Sequence, residues 1–382
     1  MIKIVVMPDK FKGTLRSDEA AEAICRGIER ACDAVGRGGV EVVSRPMADG
    51  GDGTLRILAR EDEIVRVSGY DALMRPVETE FGIKTDSTVR HGIIESATSI
   101  GLSRLRRTER NPELTSSYGL GFQIVQALEA GCRKLTIGVG GTATNDCGVG
   151  MLSALGVRFY DAYGRHIEYP CGRDLARITT VELGTVPERL DAVEIRIMCD
   201  VDNPLLGVEG ATRIFGRQKG ASPEMVERLE TGADRFAALL TDTIGRDLRD
   251  EHGSGAAGGI GWALRMVSGA HYAKGAATVA EVTAAATAAT DASLLVTGEG
   301  RCDTSSLHSK VVGYVAELGR QLNIPVLVLC GMREREMSAE SLRTAGITGI
   351  YALTDYMSAH QAMTNPCDNL MQLTEAVFKQ IL

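Results

Sequence analysis

The sequence predicts an α/β protein in which a doubly wound parallel-sheet domain carries a second, inserted α/β domain. Apolar strands near both ends of the chain close on glycine- and acid-rich turns that precede helices. From about residue 64 the strands instead alternate apolar and polar residues, which is typical of half-exposed strands. A chain of 382 residues is also long for one domain. We therefore predict one discontinuous domain of residues 1–66 and 288–382, and an inserted domain of residues 67–287.

The two ends of the chain have the same rhythm of buried strand, turn and helix. Residues 2–7 form an apolar run interrupted only by Lys3, and residues 40–44 are predicted as a second strand. The helix between them is predicted over residues 17–35. Near the C-terminus, the predicted strands cover residues 293–297, 325–330 and 349–353. Helices are predicted near residues 307–321, 334–345 and 368–381.

The middle of the chain mixes strands and helices of another texture. Alternating strands are predicted over residues 64–68, 76–84 and 88–95, with a hairpin turn at Asp86-Ser87. Further strands are expected at residues 135–137, 157–160 and 194–199. Helices are predicted over residues 116–130, 149–155, 223–249, 262–267 and 279–290. Ser222 is the expected N-cap of the long amphipathic helix, with Pro223 in its first turn.

Composition excludes several classes of function. The net charge of −8 and the pI near 5.5 argue against a nucleic-acid or anionic-membrane surface. Nine cysteines lack metal-finger spacing and are expected to be reduced thiols. No apolar run approaches eighteen residues and no signal peptide is recognised, so we predict a cytoplasmic protein. Assembly into a homo-oligomer is left open.

Charged residues follow the apolar strands of both predicted domains. In open parallel sheets, ligands bind outside the carboxyl ends of the strands. Five strand-end turns carry acidic residues, at Asp9, Asp49/Asp52, Asn145/Asp146, Asp200/Asp202 and Glu299/Asp303. Cations accompany them at Lys12, Lys219, Arg301 and Lys310. Carboxylates beside fixed cations are what Mg²⁺-dependent phosphoryl transfer needs, so we predict that chemistry here.

Two alternatives of other classes remain at this point. Gly138-x-Gly140-x-x-Ala143 matches a dinucleotide fingerprint, and Asp161 stands about where the ribose-binding acid would be. An NAD-dependent oxidoreductase acting on a small 2-hydroxy acid would explain this match. However, the polar run of residues 142–146 interrupts the expected first turn of the helix. A non-catalytic binding relative is the second alternative, although such a protein has no need for five acidic strand-end turns.

Seven segments, taken together, resemble the signature segments of type I glycerate kinases in their order and spacing. They are PDKFKGTL (8–15), PMADGGDGT (46–54), GVGGTATNDCGVGML (138–152), CDVDNPLLGVEGA (199–211), FGRQKGAS (215–222), GSGAAGGIG (253–261) and TGEGRCD (297–303). The resemblance covers nearly the whole chain. It implies ATP-dependent, Mg²⁺-assisted phosphorylation of D-glycerate. It also implies a flavodoxin-like domain with an inserted α/β domain and an active site in the cleft between them.

The resemblance and the strand-end turns together give a set of candidate roles. Asp200 is the candidate general base or metal ligand. Lys12, Lys219 and Arg301 are candidates for binding the glycerate carboxylate or the phosphoryl group during transfer. Mg²⁺ would be held by some of Asp49, Asp52, Glu299 and Asp303. The predicted substrate- and phosphate-binding residues are Asp9, Lys219, Gly140, Gly141, Thr142, Thr144, Asn145, Asn203, Gly298 and Gly300. We expect phosphorylation of the 2-hydroxyl, with the 3-hydroxyl as the alternative, from the resemblance alone.

The chain departs from the family pattern at some of these turns. Lys10 stands where the family usually has Ser, and Cys147 stands for Gly. Thr142 replaces Ser but keeps the hydroxyl. Lys10 and Cys147 change polarity inside candidate site turns, so they either alter substrate choice or are simply tolerated.

Overall fold

The computed structural model describes residues 1–86, 88–307, 310–334 and 337–382. Ser87 of the predicted hairpin turn lies outside these residues. The strands, in chain order, are β1 (Ile2–Val6), β2 (Val40–Ser44), β3 (Ile64–Tyr70), β4 (Pro76–Asp86), β5 (Val89–Glu95), β6 (Cys132–Gly138), β7 (Arg158–Tyr160), β8 (Thr180–Glu182), β9 (Glu194–Met198), β10 (His271–Ala273), β11 (Leu294–Cys302), β12 (Val326–Arg333) and β13 (Gly349–Ala352).

The α-helices are likewise numbered in chain order. They are α1 (Ser17–Val35), α2 (Thr54–Leu58), α3 (Ala97–Ile100), α4 (Tyr118–Glu129), α5 (Val149–Leu155), α6 (Val186–Asp191), α7 (Ala211–Phe215), α8 (Pro223–Ile244), α9 (Ile260–Val267), α10 (Gly275–Val282), α11 (Ala285–Ala289), α12 (Val311–Leu322), α13 (Ala339–Ala345), α14 (Ala359–Thr364) and α15 (Pro366–Ile381). No helix among the described residues is long and apolar enough to cross a membrane.

The chain divides into two compact units. The first unit consists of Met1–Asp49 and Lys274–Leu382, and the second of Gly50–Ala273. Both boundaries lie earlier in the chain than residues 66/67 and 287/288, where the sequence placed them. Helix α2 accounts for the first difference, because its N-terminus is bound within the second unit. The Gly53 N–H donates to Glu95 Oε1 at 3.0 Å, and the Leu55 N–H donates to Glu95 Oε2 at 2.8 Å.

The first unit is organised around a five-stranded sheet in which every pair of neighbours is parallel. From one edge to the other, its strands are β2, β1, β11, β12 and β13. Counting only the strands of this unit, the order is 2-1-3-4-5, which is the flavodoxin-like order. The point where the order reverses lies between β1 and β11, so residues at the carboxyl ends of these two strands are placed for ligand binding.

Helices cover both faces of this sheet, as a doubly wound fold requires. Alternate residues of β12 show this, since Leu327 and Leu329 face one apolar cluster and Val328 and Cys330 face another. The first cluster includes residues of α1 and α15, and the second includes residues of α12. Gly27 lets α1 and α15 approach closely, because a Cβ there would stand 2.5 Å from Thr374 Cβ. The predicted fold class is therefore confirmed.

The second unit contains a six-stranded mixed sheet in the order β10-β9-β6-β5-β4-β3. Strands β3, β4 and β5 pair antiparallel, whereas β5, β6, β9 and β10 are parallel. The alternation of apolar and polar residues over residues 64–95 thus predicted this antiparallel part correctly. The predicted strand at residues 157–160 lies elsewhere, because β7 pairs only with β8 in a separate two-stranded ribbon.

Three aromatic side chains pack in succession in the core of the second unit. Phe159, Phe236 and Trp262 are fully buried, and successive ring centroids are 5.9 and 6.0 Å apart with edge-on geometry. These rings connect β7, α8 and α9. Helix α8 begins at the predicted N-cap, where Ser222 Oγ accepts a hydrogen bond from the Met225 N–H at 3.3 Å. It ends at Ile244, earlier than predicted, because Gly245 adopts a left-handed conformation with φ 77°.

One predicted helix is wrong as a single element. Residues 279–290 were expected to form one small-residue helix, but α10 ends at Val282 and α11 begins at Ala285. Ala284 interrupts them with φ 53°, a left-handed conformation that is unfavourable for a residue with a Cβ. The run of alanines concealed this break, because alanine has the highest helix propensity of all residues.

Candidate active site

Backbone packing brings the turn after β1 against the end of β11 in the first unit. The Asp9 N–H donates to the Gly298 carbonyl at 2.8 Å. A Cβ on Gly300 would stand 2.9 Å from Lys12 N, and a Cβ on Gly298 would stand 2.0 Å from the Leu329 carbonyl oxygen. Glycine is therefore required at both positions for close backbone approach. Gly300 thus lets the turn that carries Asp9, Lys10 and Lys12 pack beside β11, and Gly298 lets β11 pack closely against β12.

Three charged side chains meet in this turn. Lys10 Nζ lies 3.0 Å from Asp49 Oδ1 and 3.5 Å from Asp9 Oδ1. Asp9 is buried, and its Oδ1 also accepts the Lys10 N–H at 2.7 Å. Burial, and then the nearby charges of Asp49 and Glu299, raise the pKa of Asp9 to about 7, although Lys10 opposes the rise. Lys10, which the sequence showed only as a departure from the family pattern, is the cation that joins Asp9 and Asp49.

The end of β11 supplies two further carboxylates with different surroundings. Glu299 is buried, and its Oε1 has no hydrogen-bond partner among the described residues. Burial raises the pKa of Glu299, while Ser306 and Lys310 oppose the rise. Asp303 Oδ1 instead accepts the N–H groups of Ser305 and Ser306 at 3.0 and 3.3 Å. Asp303 thus stabilises the following turn, whereas Glu299 retains an unused acceptor.

Two of the predicted cations of this unit remain open to solvent. Lys12 and Arg301 are both exposed, and neither forms an ion pair with any residue that the structure describes. Arg301 lies on β11, opposite Met332 of β12 in the parallel register. Both cations are accordingly available for an anionic ligand.

In the second unit the glycine-rich turn after β6 packs against Gly50-Gly51-Asp52. The Gly140 N–H donates to the Gly50 carbonyl at 3.1 Å, and a Cβ on Gly140 would stand 2.7 Å from Gly51 Cα. Gly141 has φ 74°, and a Cβ there would lie 2.8 Å from Asp52 Oδ1. The predicted site residues Gly140, Gly141 and Asp52 are therefore neighbours.

The same edge of the second sheet also carries the turn with Asp200. Gly138 at the end of β6 pairs with Met198 at the end of β9, so the turns after both strands begin at the same level. Asp200 is half-buried just beyond this point. Asn203 stabilises the loop that follows through two hydrogen bonds. Its side-chain Nδ2 donates to the Glu209 carbonyl at 2.8 Å, and its main-chain carbonyl accepts the Gly255 N–H at 2.9 Å.

Asp146 has a structural role that the sequence did not indicate. Its buried carboxylate accepts four hydrogen bonds, from the Ser117 N–H and hydroxyl at 2.8 Å and from the N–H groups of Gly148 and Gly150 at 3.1 and 3.2 Å. Burial raises the pKa of Asp146, and these donors oppose the rise. The carboxylate thus fixes the turn to the first residues of α5 and to the segment before α4.

Lys219 is buried and points at the backbone of the glycine-rich turn. Its Nζ donates to the Thr144 carbonyl at 2.6 Å. Burial lowers the pKa of Lys219 to about 8, although Asp146 opposes the fall. Beside it, Asn145 Nδ2 donates to Thr212 Oγ1 at 3.0 Å. Lys219 is thus buried against the backbone of the glycine-rich turn.

Several polar atoms of this turn are buried without partners. Thr144 Oγ1 and Asn145 Oδ1 form no hydrogen bond with any described residue. Thr142 is also buried, and it forms an isolated antiparallel bridge with Gly101. Buried polar groups are usually hydrogen-bonded. The unsatisfied oxygens therefore indicate that this turn has a functional role besides connecting β6 to α5.

The dinucleotide interpretation of this turn is wrong. A dinucleotide fingerprint requires a helix to open within the glycine-rich turn, but α5 begins only at Val149. Asp161, the expected ribose-binding acid, instead pairs with Arg165 at 2.7 Å and accepts the N–H groups of Tyr163 and Arg165 at 3.0 Å. Its carboxylate is engaged in a local turn after β7.

The fold and these turns define an α/β protein with carboxylates, cations and close-packed glycines at the carboxyl ends of parallel strands. A family model described as the glycerate kinase family matches residues 4–382. The chain belongs to the glycerate kinase family.

Individual relatives agree with this assignment. The chain is 38% identical to a glycerate kinase of Bacillus subtilis, over 88% of this chain and 87% of the relative. It is 34% identical to the glycerate 2-kinase of Escherichia coli, over 98% and 97% of the two chains. A crystal structure from Salmonella typhimurium LT2, described as a candidate glycerate kinase 2, superposes with a TM-score of 0.79 at 35% identity, covering 100% of this chain and 98% of that one.

Proposed function

We propose that this protein is an ATP-dependent kinase that phosphorylates D-glycerate. The observation that carries the proposal is the family match, which extends over residues 4–382 and so includes every turn described above. Relatives named glycerate kinase or glycerate 2-kinase align over most of both chains. The exposed cations and the buried carboxylates at the strand ends supply the charges that phosphoryl transfer uses.

We propose that Mg²⁺ assists the reaction and that Asp49 and Glu299 contribute to holding it. The unpartnered Oε1 of Glu299 and the like-charge interaction among Asp9, Asp49 and Glu299 both fit a cation nearby. Among the described residues no three acidic, histidine or cysteine side chains are arranged to hold a metal by themselves. Mg²⁺ often takes only one or two protein carboxylates, with waters and phosphate oxygens completing its shell, and it neutralises charge on those phosphates.

The other predicted metal ligands fit this role less well. Asp303 Oδ1 already accepts two backbone N–H groups, so its orientation is set by the turn that it stabilises. Asp52 lies next to Gly141, and its Oδ1 is only 2.8 Å from the position that a Cβ on that glycine would take. We assign Asp52 to supporting the glycine-rich turn and leave Mg²⁺ to Asp49 and Glu299.

The glycine-rich turns are proposed to bind phosphate oxygens through backbone N–H groups. Gly140, Gly141, Gly298 and Gly300 let neighbouring segments of the chain pack closely against these turns. Successive N–H groups in such turns form anion-binding concavities. Lys12 and Arg301 would then neutralise charge as the phosphoryl group moves, with Arg suited to bidentate contact. Lys219 acts through the Thr144 carbonyl, so we propose it as a positioning residue for this turn.

Asp200 is the proposed general base for the acceptor hydroxyl of glycerate. It follows β9 directly, is half-buried, and stands at the same sheet edge as the glycine-rich turn. A carboxylate there would accept the proton that the hydroxyl loses as its oxygen bonds to phosphorus.

The proposal is tested by identifying the product. After incubation of the protein with ATP, Mg²⁺ and D-glycerate, ³¹P NMR should show one new phosphomonoester, and we expect it to be 2-phosphoglycerate. The similarity to a relative named glycerate 2-kinase supports that position. Formation of 3-phosphoglycerate would correct the position alone, whereas the absence of any phosphoglycerate would refute the proposed activity.

A further inference from the structure

The first unit contains a cavity of about 710 Å³ at the carboxyl ends of three neighbouring strands. Arg301 reaches it from β11, Met332 and Arg333 from β12, and Asp355 from the turn after β13. We call it the strand-end cavity. Ligands of open parallel sheets bind outside the carboxyl ends of the strands, so its position is suited to a ligand.

Two arginines and two carboxylates line the strand-end cavity, and Arg301 is the arginine without an ion pair among the described residues. Glu334 Oε2 accepts the Thr304 N–H and hydroxyl, both at 3.3 Å. Arg333 is held in place, because its Nε lies 3.2 and 3.1 Å from the two carboxylate oxygens of Asp355. Asp355 Oδ2 also accepts the Ala352 N–H at 3.3 Å, which fixes the carboxylate in turn. Arg301 is exposed and forms no ion pair within the described part of the chain. An anionic group at this end of the cavity would therefore meet a free guanidinium.

The strand-end cavity also has an apolar wall. Met332 and Met337 both line it, and 38% of the Met332 surface is exposed. Methionine thioethers are polarisable and pack favourably against the faces and edges of aromatic rings. A flat aromatic group attached to an anion would match the combination of two methionines and one free arginine.

Size distinguishes between the two substrates of the proposed kinase. Pockets for ligands of drug size range from roughly 300 to 1,000 Å³, and the strand-end cavity falls within that range. A three-carbon acid such as glycerate would leave most of it empty and would not use the methionines. A nucleotide has the required volume, an aromatic base and a phosphate chain.

We propose that the strand-end cavity binds the adenosine part of ATP and ADP, with the purine against Met332 and Met337 and the phosphate chain toward Arg301. The inference rests on the proposed function only in its choice of adenine nucleotide as the ligand. It assigns a nucleotide-recognition role to Met332, Met337 and Thr354, which the sequence analysis did not single out.

The test measures ADP binding to the full chain by isothermal titration calorimetry, in the presence of Mg²⁺. Met332→Ala should weaken ADP about tenfold, because it removes the apolar surface under the purine. Thr354→Trp, which fills the cavity, should weaken ADP at least as strongly. Met363→Ala is the matched control, since Met363 is an exposed methionine of α14 outside the cavity, and it should leave ADP affinity unchanged.

Two further binding measurements distinguish recognition of the purine base from recognition of the phosphates. Adenosine alone should compete with ADP, and its affinity should fall in Met332→Ala. Inorganic pyrophosphate should bind Met332→Ala and the wild-type protein equally. If ADP binds both cavity variants as tightly as the wild-type protein, the inference is wrong even when glycerate kinase activity is present. If ADP binding depends on Met332 but D-glycerate is not phosphorylated, the cavity assignment stands and the proposed activity fails.

Discussion

Asp200 is the residue whose proposed role is most directly chemical. We expect Asp200→Asn to lower kcat on the order of 10²- to 10⁴-fold, because the amide cannot accept the proton of the glycerate hydroxyl. The measurement is steady-state ADP release at saturating ATP and D-glycerate. Asp202→Asn is the matched control, as Asp202 is an exposed carboxylate of the same loop. An unchanged kcat in a folded Asp200→Asn protein would remove Asp200 from the role of base.

Asp146 tests whether a carboxylate in a candidate site turn can be purely structural. Asp146→Asn leaves one acceptor oxygen for four donors. With that oxygen in place of Oδ2, which accepts three of them, the NH₂ group faces the Gly148 N–H, and the opposite orientation leaves three donors without an acceptor. We expect a loss of about 2 to 4 kcal/mol in the free energy of unfolding. Urea denaturation measures it, with Asp202→Asn expected to change stability by less than about 0.5 kcal/mol. Equal stabilities of the two variants would contradict the structural role.

The buried amine of Lys219 predicts a pH dependence of stability. Its folded pKa is lowered by burial to about 8 from an ordinary value of 10.5. Between these values the unfolded chain binds more protons than the folded one, so this residue makes the free energy of unfolding rise with pH. Below about pH 8 the amine is charged in both states, and its burial disfavours folding.

The corresponding variant is Lys219→Met, compared with wild type by urea denaturation from pH 7.5 to 10. The stability of wild type relative to Lys219→Met should increase over this range. Lys379→Met, which removes an exposed lysine of α15 paired with Glu375, serves as the control for a general loss of positive charge. A difference between wild type and Lys219→Met that stays constant with pH would show that Lys219 does not titrate as described.

The candidate site residues in the strand-end turns could be identified from the sequence, but the burial of their side chains could not be predicted. Asp9, Asp49 and Glu299 followed apolar strands, which identified them as candidates. Nothing local showed that Lys10 would bridge Asp9 and Asp49, or that Lys219 would reach a carbonyl 75 residues away along the chain. Such contacts depend on how turns that are far apart in the sequence pack together. No periodic pattern in a single sequence indicates that packing.

At the scale of elements, the break between α10 and α11 gives a clear test. Ala284 is exposed and has φ 53°, a conformation that disfavours residues with a Cβ. We expect Ala284→Gly to increase the free energy of unfolding by about 0.5 to 1 kcal/mol, after allowing for the greater flexibility of glycine in the unfolded chain.

The control for that substitution lies a few residues further on. Ala288→Gly places glycine inside α11 and should decrease stability by about 0.5 to 1 kcal/mol. Opposite signs for two identical substitutions in one segment, measured by urea denaturation, would establish the break. A loss of stability in both would indicate that the segment is one continuous helix.

Strong periodic patterns predicted elements well, and weak ones did not. The bounds of α1 and α5 agree with those expected, and left-handed glycines, Gly36 and Gly156, follow their last residues. The segment of residues 279–290 is almost entirely small residues, so its pattern could not reveal a turn. Residues 335–336 of the helix predicted at 334–345 lie outside the described part of the chain. Helix α13 covers Ala339–Ala345, and the Ser338 hydroxyl accepts the Ser341 N–H at 3.0 Å.

At the scale of the whole molecule, the texture of the two ends predicted that distant segments form one parallel sheet. Strand β1 lies between β2 and β11, and β11 follows β2 by about 250 residues along the chain. The prediction that the two ends of the chain form one parallel sheet is therefore confirmed. The boundaries of the two units stay less predictable. Helix α2 continues the βαβα rhythm of the N-terminus, yet Glu95 binds its first turn, and that contact has no local signal.

The proposed activity of the whole protein is tested most directly by ATP-dependent ADP release with D-glycerate as acceptor. A coupled assay should show turnover that requires D-glycerate, ATP and Mg²⁺ together, with kcat on the order of 1 to 100 per second. L-Glycerate and related 2-hydroxy acids, assayed in parallel, should support much slower release. If purified, folded protein releases no ADP with D-glycerate or with any of these acids, the assignment as a glycerate kinase is contradicted.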